Sequence, residues 1–442
     1  MMDQLDPKKR DLPRRSFLKA SVAAGLAGAP AVLAQRSSSN TIGVACIGVG
    51  TRGSYLLSQF QQIPGVEVRI ISDLYEGNIR RAKGICRNPN VRIVREWEKA
   101  VDDPDIQAVV IATPDFWHPP MTIRAANAKK DIYVEKGWSI RLDEAKAMRK
   151  AVKENSVVMQ LGHNWNSEPA QHRAREIYRS GVLGKVPMVR LFMDRTSAFQ
   201  EFKYYTDYMI KQAPADASPQ TIDWNRYIAN APKRPFSIDR FFTWRCYWDY
   251  GTGTAGDLMS HLWDSVNMVI GMGIPETAMS QGAMYFWKEE REVPDIWNMV
   301  FDYPKQELQI LFASVFHNRH TAELLQYLGR EKTMETSQTA CRTYRKEWGD
   351  EHKETFAKAK AEAIRAGEDP AQVQLPPDYW FKEGELKVTS HWQDFIDCVR
   401  TRERPRCHVD RAFQEAATIM MAVEALRKKR EVRWDPIKEV IS

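Results

Sequence analysis

A glycine-rich turn near the start of the chain constrains its fold more than any other feature. Residues 41–57, TIGVACIGVGTRGSYLL, join a short apolar run to a G-x-G-x-x-G turn and then continue at helical spacing. In such a strand–turn–helix unit the glycines permit a tight turn, a close approach to a pyrophosphate and close packing of the helix on the strand. The pattern predicts a dinucleotide site with the phosphates at the helix N-terminus. Its expected cofactor contacts are Gly48, Gly50, Thr51, Arg52 and Gly53.

A carboxylate follows at the spacing that such a site requires. The apolar run Val66–Ile71 predicts a second strand that leads to Asp73, twenty residues after Gly53. At this position the carboxylate of Asp73 is expected to accept hydrogen bonds from an adenosine ribose. Its negative charge would oppose the 2′-phosphate of NADP, and Leu74 and Tyr75 rather than an arginine follow it. The expected cofactor is therefore NAD, and NADP is disfavoured.

The first 34 residues predict an export signal that lies outside the folded domains. The run RRSFLK at 14–19 precedes a small and apolar run, Ala20–Leu33. This pattern is typical of a twin-arginine signal with cleavage near Ala34, and it predicts a periplasmic or otherwise exported protein. A disordered basic tail and an uncleaved anchor are the alternatives. The apolar run is too short to span a bilayer comfortably, so no stable membrane insertion is expected after processing.

Charge, length and cysteine content narrow the remaining possibilities. The 442 residues carry a net charge of +7; residues 1–34 hold six Lys+Arg and three Asp+Glu, so 58 basic and 54 acidic residues remain without them, or +4. A balance that small predicts no nucleic-acid partner. About 400 residues exceed what one core usually organises, so we expect two domains, at 38–161 and 162–442. The six cysteines show no C-x-x-C pair, so we expect a fold that does not depend on disulfides, and we expect no metal site.

The pattern of apolar runs differs between the two predicted domains. Up to residue 161 short strands alternate with helices, which favours a parallel sheet covered on both faces. Beyond it, strands follow one another with few helices between them, which favours a largely antiparallel sheet solvated on one side. The predicted fold class is α/β: a Rossmann domain, then an α/β domain with a large open sheet. The second domain's predicted strands are Val186–Met193, Gln281–Phe286, Asn298–Phe301 and Glu307–Val315. We expect a charged helix at 346–365 after them, and the chain is expected to end with helices at 392–400 and 413–429.

Two places carry reactive groups at a meaningful spacing. Lys136 stands one step beyond a predicted parallel strand, where open α/β sheets bind their ligands. Asp257 and His261 are four residues apart, which would put both on one helix face and let the carboxylate orient the imidazole. In an alcohol oxidation His261 suits the role of base and Lys136 that of donor to the oxygen. Taken singly, each residue also fits a structural role, as a helix cap, a core histidine or a surface lysine.

The remaining polar candidates have two interpretations. The aromatic run 241–250, which includes Trp244 and Arg245, either packs a long connection onto its sheet or forms a platform for sugar rings. Gln160, His163 and Asn164 follow the last strand of the first domain, where they would contact substrate or pack between domains.

Taken together, these segments resemble the Gfo/Idh/MocA (glucose-fructose oxidoreductase and inositol dehydrogenase) family. Its I-A-T-P-x-x-x-H motif matches residues 111–118, its E-K-P matches 135–137 and its G-x-x-x-D-x-x-x-H matches the segment that ends at His261. Gly137 replaces the family's proline, so the backbone that presents the preceding lysine departs from the family's pattern. The resemblance implies a homo-oligomer, either a dimer or a tetramer, built on the open sheet. It also implies a catalytic group of Lys136, Asp257 and His261, with Thr113, Pro114, His118, Glu135 and Lys136 beside the cofactor.

The resulting hypothesis is an exported oxidoreductase that oxidises a carbohydrate or glycoside hydroxyl. Free nicotinamide is scarce outside the cytoplasm, so the NAD should be tightly bound and recycled in place. One alternative is an NAD-dependent glycoside hydrolase or lyase that oxidises its sugar transiently, as family members resembling α-N-acetylgalactosaminidase do. The other is a catalytically silent binding protein on the same fold.

Overall fold

The computed structural model describes residues 41–196, 200–206, 210–345, 350–373 and 375–442. The segment predicted to be a twin-arginine signal lies outside the described residues. Within the described part, no helix is long and apolar enough to cross a membrane.

The first half of the described chain builds a parallel sheet. Six strands pair in the order β3-β2-β1-β4-β5-β6, and every pair is parallel. Because the chain order reverses between β1 and β4, a crevice opens at the carboxyl ends of these strands. The strands are β1 (Ile42–Ile47), β2 (Val66–Ser72), β3 (Arg92–Val94), β4 (Ala108–Ile111), β5 (Asp131–Val134) and β6 (Met159–Leu161). The helices are α1 (Thr51–Phe60), α2 (Glu76–Ile85), α3 (Trp97–Asp102), α4 (His118–Asn127) and α5 (Leu142–Asn155).

The second half builds a larger mixed sheet. Its ten described strands run in the order β14-β13-β12-β11-β7-β10-β9-β8-β15-β16, and only β7 and β10 pair in parallel. Along β9 and β10 buried residues alternate with less buried ones, as expected for a sheet with one face on the core. The strands are β7 (Met188–Met193), β8 (Thr277–Ala283), β9 (Ile296–Tyr303), β10 (Leu308–Val315), β11 (Glu323–Leu328), β12 (Lys332–Thr336), β13 (Cys341–Arg345), β14 (Tyr379–Trp380), β15 (Val432–Asp435) and β16 (Val440–Ile441).

Helices cover the core face of this sheet and connect it to the first half. A π-helical segment, Ala255–Met259, leads directly into α9. The helices are α6 (Pro169–Arg179), α7 (Trp224–Tyr227), α8 (Ile238–Phe242), α9 (Ser260–Ile270), α10 (Asp350–Ala366), α11 (His391–Thr401) and α12 (Val409–Lys428). One continuous cluster of buried apolar side chains includes residues of both sheets, so the crevice between them has rigid walls.

The predicted α/β fold class is confirmed, and two element predictions are wrong. The strand expected at 281–286 occupies Thr277–Ala283; the amides of Tyr285 and Phe286 donate to the carboxylate of Asp295, which turns the chain out of the sheet. The chain also does not end on a helix, because β15 and β16 follow α12. In β15 the buried Val432 and Trp434 alternate with polar residues, a short strand pattern that the sequence interpretation missed.

Candidate active site

A cavity of about 570 Å³ lies at the carboxyl ends of the parallel strands. Its walls combine the glycine-rich turn, the segment after β4, the end of β5 and the start of the π-helical segment. The predicted residues that line it are Gly48, Gly50, Thr51, Arg52, Asp73, Thr113, Pro114, Glu135, Lys136, Asn164, Trp244, Arg245, Asp257 and His261. Four predicted residues do not line it: Gly53, His118, Gln160 and His163.

The glycine-rich turn has the geometry that its sequence predicts. Gly48 has a φ of +77°, a conformation that a side chain would strain. A Cβ at Gly53 would lie 1.8 Å from the carbonyl oxygen of Gly48, so this glycine serves helix–strand packing behind the cavity. At Gly50 the nearest atom to such a Cβ is 3.8 Å away, which leaves room for a ligand against the backbone. Helix α1 begins at Thr51 and directs its N-terminus at the cavity.

The Asp73 carboxylate is held rigidly at the end of β2. It accepts hydrogen bonds from the backbone amides of Val49 at 2.7 Å and Tyr75 at 2.9 Å, and from the Asn78 side chain at 3.2 Å. Burial raises the pKa of Asp73, while these hydrogen bonds and the Arg81 guanidinium oppose the rise. The carboxylate thus stands where a nucleotide ribose is expected, with the Arg81 guanidinium near enough to act on its pKa.

His118 is buried behind the cavity and not beside the cofactor site. Its two ring nitrogens lie 3.0 Å from the carbonyl oxygen of Gly137 and 2.9 Å from that of Thr113. Burial lowers the pKa of His118 to about 4, so the neutral ring donates to one carbonyl at a time. His118 therefore does not line the cavity, and the histidine ties together two segments that flank it.

Lys136, Asp257 and Arg245 form a desolvated ionic cluster. The Lys136 ammonium lies 2.6 Å from Asp257 Oδ1 and 2.8 Å from the backbone oxygen of the same residue. Arg245 Nε donates to the same Oδ1 at 2.8 Å. Burial alone would raise the pKa of Asp257, but the two cations hold it well below its usual range. Asp257 is thus ionised, and it fixes the position of Lys136.

The predicted pairing of Asp257 with His261 is wrong. Asp257 lies in a π-helical turn, whose extra residue per turn moves side chains at i and i+4 out of alignment. His261 instead places Nδ1 3.4 Å from Nδ1 of His163, and its ring stacks on Trp165 at 5.6 Å between centroids. Burial, followed by the nearby Lys136 charge, lowers the pKa of His261 well below its usual range. The imidazole is therefore neutral and able to accept a proton.

His163 and Gln160 do not line the cavity, so of their two predicted roles, substrate contact and packing between domains, the first has no support in the geometry. His163 Nε2 contacts the carboxylate of Glu415, a residue of α12. The Gln160 side chain donates to the carbonyl oxygen of His391 at 2.6 Å, which packs β6 against α11. Gln160 lies within β6 and His163 shortly after it, and only the tertiary structure decides on which side of the sheet each side chain falls.

The sequence interpretation also missed Asp115, a buried residue of the cavity wall. Only 5% of Asp115 is exposed, and its carboxylate makes no hydrogen bond to a described residue. Burial raises its pKa well above the usual range, and the nearby charges of Lys136 and Arg245 oppose the rise. A Cβ at Gly137 would lie 2.5 Å from Asp115 Oδ2. The glycine at position 137, where the family has proline, was the feature of the sequence that could have indicated this contact with Asp115.

Comparisons with known proteins agree with this geometry. Residues 42–163 match the model of the Gfo/Idh/MocA oxidoreductase family with an NAD-binding Rossmann fold, and residues 169–278 match that of the family's C-terminal alpha/beta domain. A scyllo-inositol 2-dehydrogenase (NAD(+)) of Bacillus subtilis is 28% identical over 48% of this chain and 65% of its own length. A levoglucosan dehydrogenase of Pseudarthrobacter phenanthrenivorans is 29% identical over 42% of this chain and 41% of its own length. The matches thus span less than two thirds of these relatives.

Solved structures share the fold over most of the chain. A levoglucosan dehydrogenase in complex with NADH and levoglucosan aligns with a TM-score of 0.63 at 18% identity, covering 89% of this chain and 99% of that one. An aldose-aldose oxidoreductase from Caulobacter crescentus complexed with glycerol aligns with a TM-score of 0.61 at 17% identity, covering 89% and 99%. The two matched family models together include just over half of the residues, and the chain therefore belongs to the Gfo/Idh/MocA oxidoreductase family with its NAD-binding Rossmann domain.

Proposed function

We propose that this protein oxidises a hydroxyl group of a carbohydrate, with NAD as the hydride acceptor. One observation carries the proposal: a neutral histidine and a fixed lysine, His261 and Lys136, face the same cavity at the carboxyl ends of the dinucleotide-binding sheet. Relatives named as inositol and levoglucosan dehydrogenases support a polyol or sugar as substrate.

The residues of the cavity suit the dinucleotide. The open backbone at Gly50 and the N-terminus of α1 would hold the pyrophosphate, and Asp73 the adenosine ribose. Arg52 donates to Glu135 at 2.7 Å, which orders the wall between the turn and the end of β5. NAD, when bound, supplies the acceptor for the hydride.

The proposed roles of the protein's own groups follow from their surroundings. Lys136 would donate a hydrogen bond to the hydroxyl oxygen, because Asp257 holds its ammonium at the cavity wall. His261 would take the hydroxyl proton, because its ring is neutral and lines the cavity. Asn164 and Trp244 line the same cavity and offer an amide and a flat apolar face to a sugar ring.

Two substitutions test these roles against a panel of scyllo-inositol, myo-inositol, levoglucosan and simple aldoses. His261→Ala should lower turnover by about 10²- to 10⁴-fold and leave NAD binding nearly intact. Lys136→Met should impair both turnover and cofactor placement. His320→Ala, at an exposed position, is the matched control and should change neither. Near-normal turnover of His261→Ala on any oxidised substrate would overturn the proposed assignment.

A hydrolase or lyase that oxidises its sugar transiently is the second candidate, and Asp115 favours it. Elimination from a keto-sugar needs an acid for the leaving group, and Asp115 places a buried carboxyl group with a raised pKa at the cavity wall. A relative named 2,7-anhydro-N-acetylneuraminate hydratase, 24% identical over 33% of this chain, supports the class. Release of nitrophenol from nitrophenyl glycosides without added NAD, and without a keto-sugar product, would decide for it. A keto-sugar alone would decide against it.

Export and assembly complete the proposal. The RRSFLK run supports twin-arginine export to the periplasm, and an exported enzyme would need an NAD that stays bound. We expect to find dinucleotide in the supernatant of denatured protein and a processed N-terminus in the periplasmic fraction. Absence of both would contradict export.

Large apolar side chains are exposed on β8 and directly after it, those of Met279, Tyr285 and Phe286. Their exposure supports a homo-oligomer, a dimer or a tetramer, which light scattering would measure.

A further inference from the structure

Behind the cavity, three side chains from three different segments form a continuous chain of contacts. His261 is the second residue of α9, His163 follows β6 and Glu415 lies in the first half of α12. The Nδ1 atoms of the two histidines are 3.4 Å apart, and His163 Nε2 contacts Glu415 Oε2. His163 is 1% exposed and Glu415 is fully buried. The other carboxylate oxygen, Oε1, is buried without a hydrogen-bond partner among the described residues, so Glu415 depends on His163 for compensation.

The positions of the protons along these contacts determine the tautomer of His261. If Glu415 is ionised and His163 is neutral, His163 donates from Nε2 to the carboxylate and presents a lone pair at Nδ1. The facing Nδ1 of His261 must then carry the hydrogen, since two lone pairs repel. Nε2 of His261 is left with the lone pair, and it is the only ring nitrogen remaining for a substrate in the cavity. This tautomer is the one that a general base requires.

One additional proton reverses the arrangement. A protonated His163 donates from both nitrogens, so Nδ1 of His261 must accept and Nε2 of His261 must carry the hydrogen. The same holds if the additional proton resides on Glu415 and His163 donates only from Nδ1. In this state His261 is a donor toward the cavity. The protonation state of the His163–Glu415 pair thus decides whether His261 acts as a base.

We propose that His163 and Glu415 are positioning residues that form a proton relay behind His261. As the hydroxyl proton moves to Nε2 of His261, the hydrogen on Nδ1 of His261 moves to Nδ1 of His163. The reaction leaves His261 neutral and His163 as an imidazolium paired with the Glu415 carboxylate. Protons and charge therefore balance within the three side chains, and the two electrons leave the substrate with the hydride. The catalytic use of this relay rests on the proposed function. The existence of the relay rests only on the contacts among the three side chains.

The surroundings favour His163 over His261 as the final site of the proton. Burial lowers the pKa of His261 well below its usual range, with Lys136 and His163 adding to the effect. Burial also opposes a charge on His163, but Glu415 and Asp264 outweigh it and raise its pKa. The negative charge of Asp264 is paired with Arg411, whose Nη2 donates to Asp264 Oδ1 at 2.6 Å. Glu415 is therefore the carboxylate that pairs with His163. A lone His261 would be a weak base, and the relay passes its proton to a site that can hold it.

Nuclear magnetic resonance of ¹⁵N-histidine-labelled protein tests the relay without any substrate. At pH 8 the wild-type protein should show His261 with its hydrogen on Nδ1. On acidification His163 should become protonated while His261 changes tautomer and stays neutral. Glu415→Gln keeps the shape of the side chain and removes its charge, so protonation of His163 should shift to lower pH by at least one unit. Glu424→Gln, the same change at the partly exposed end of α12, is the matched control.

Kinetics provide the second readout. Glu415→Gln should lower kcat for hydroxyl oxidation roughly 10²-fold with little change in KM, and Glu415→Asp, which retains the charge, should recover part of the loss. A wild-type His261 with its hydrogen on Nε2 at pH 8 would overturn the relay, even if Glu415→Gln fails to fold. So would a folded Glu415→Gln protein with wild-type titration and kcat. If no carbohydrate is oxidised, the proposed function fails, and the resonance titration still decides whether the relay exists.

Discussion

Replacing Asp257 by asparagine probes the ionic cluster at the cavity wall. The change keeps the size of the side chain and one acceptor oxygen, but it removes the negative charge that Lys136 and Arg245 share. Both cations lie within 2.6 to 2.8 Å of Asp257 Oδ1, and the side chains of Lys136 and Asp257 are only 12% and 13% exposed. At an effective dielectric constant of about 20, each contact corresponds to roughly 6 kcal/mol of attraction. Desolvation of the three groups offsets most of it.

The expected net effect is a substantial loss of stability. Removing one partner of a buried ion pair typically costs about 3 to 5 kcal/mol, because the remaining charge stays desolvated. Asparagine and the backbone oxygen of residue 257 can still accept from Lys136, so we expect the free energy of unfolding to fall by about 3 kcal/mol, near the lower limit. The matched control is Asp143→Asn, whose ion pair with Arg141 has side chains 67% and 63% exposed. That change should cost at most about 1 kcal/mol.

Urea unfolding followed by tryptophan fluorescence measures both variants. The pKa of Asp257 is lower in the folded protein than in the unfolded chain, so its stabilisation is fully present above the unfolded-state pKa and is lost only as pH falls below it. The difference between wild type and Asp257→Asn should therefore be the same at pH 8 and pH 5 and should decrease below about pH 4. Equal stabilities of Asp257→Asn and Asp143→Asn at pH 7 would refute the view that the cluster is desolvated.

Four further substitutions test the surroundings of the cavity. Asp73→Ala should narrow the preference for NAD over NADP measured by fluorescence titration; an unchanged ratio would contradict the role of this carboxylate. Gly53→Ala should abolish NAD binding and lower the melting temperature, since its Cβ would lie 1.8 Å from the Gly48 carbonyl oxygen. Gly137→Ala should cost about 1 to 3 kcal/mol by overpacking against Asp115. Asp115→Ala should restore much of that loss in the double variant, and purely additive effects would count against the contact.

Local patterns in the sequence determined the dinucleotide-binding half. The positive φ of Gly48 and the packing of Gly53 depend on residues within a single turn, and a short-range pattern of glycines encodes both. The predicted strand Val66–Ile71 is observed as Val66–Ser72, and strands alternate with helices up to residue 161 as predicted, because periodic burial is visible along the sequence. The placement of Lys136 and of Asp73 at strand ends follows from the same topology.

Contacts between distant segments decided the chemistry of the site. Asp257 pairs with Lys136, 121 residues away, and His163 with Glu415, 252 residues away. No local pattern specifies such pairs, because they depend on how α12 and the π-helical turn pack against the first sheet. That turn also rotates Asp257 away from His261, whereas regular α-helical spacing predicted the opposite. The sequence by itself therefore determined which elements form and which half of the chain holds the NAD-binding domain, whereas side-chain packing across the crevice decided which charges meet and which nitrogen of His261 contacts His163.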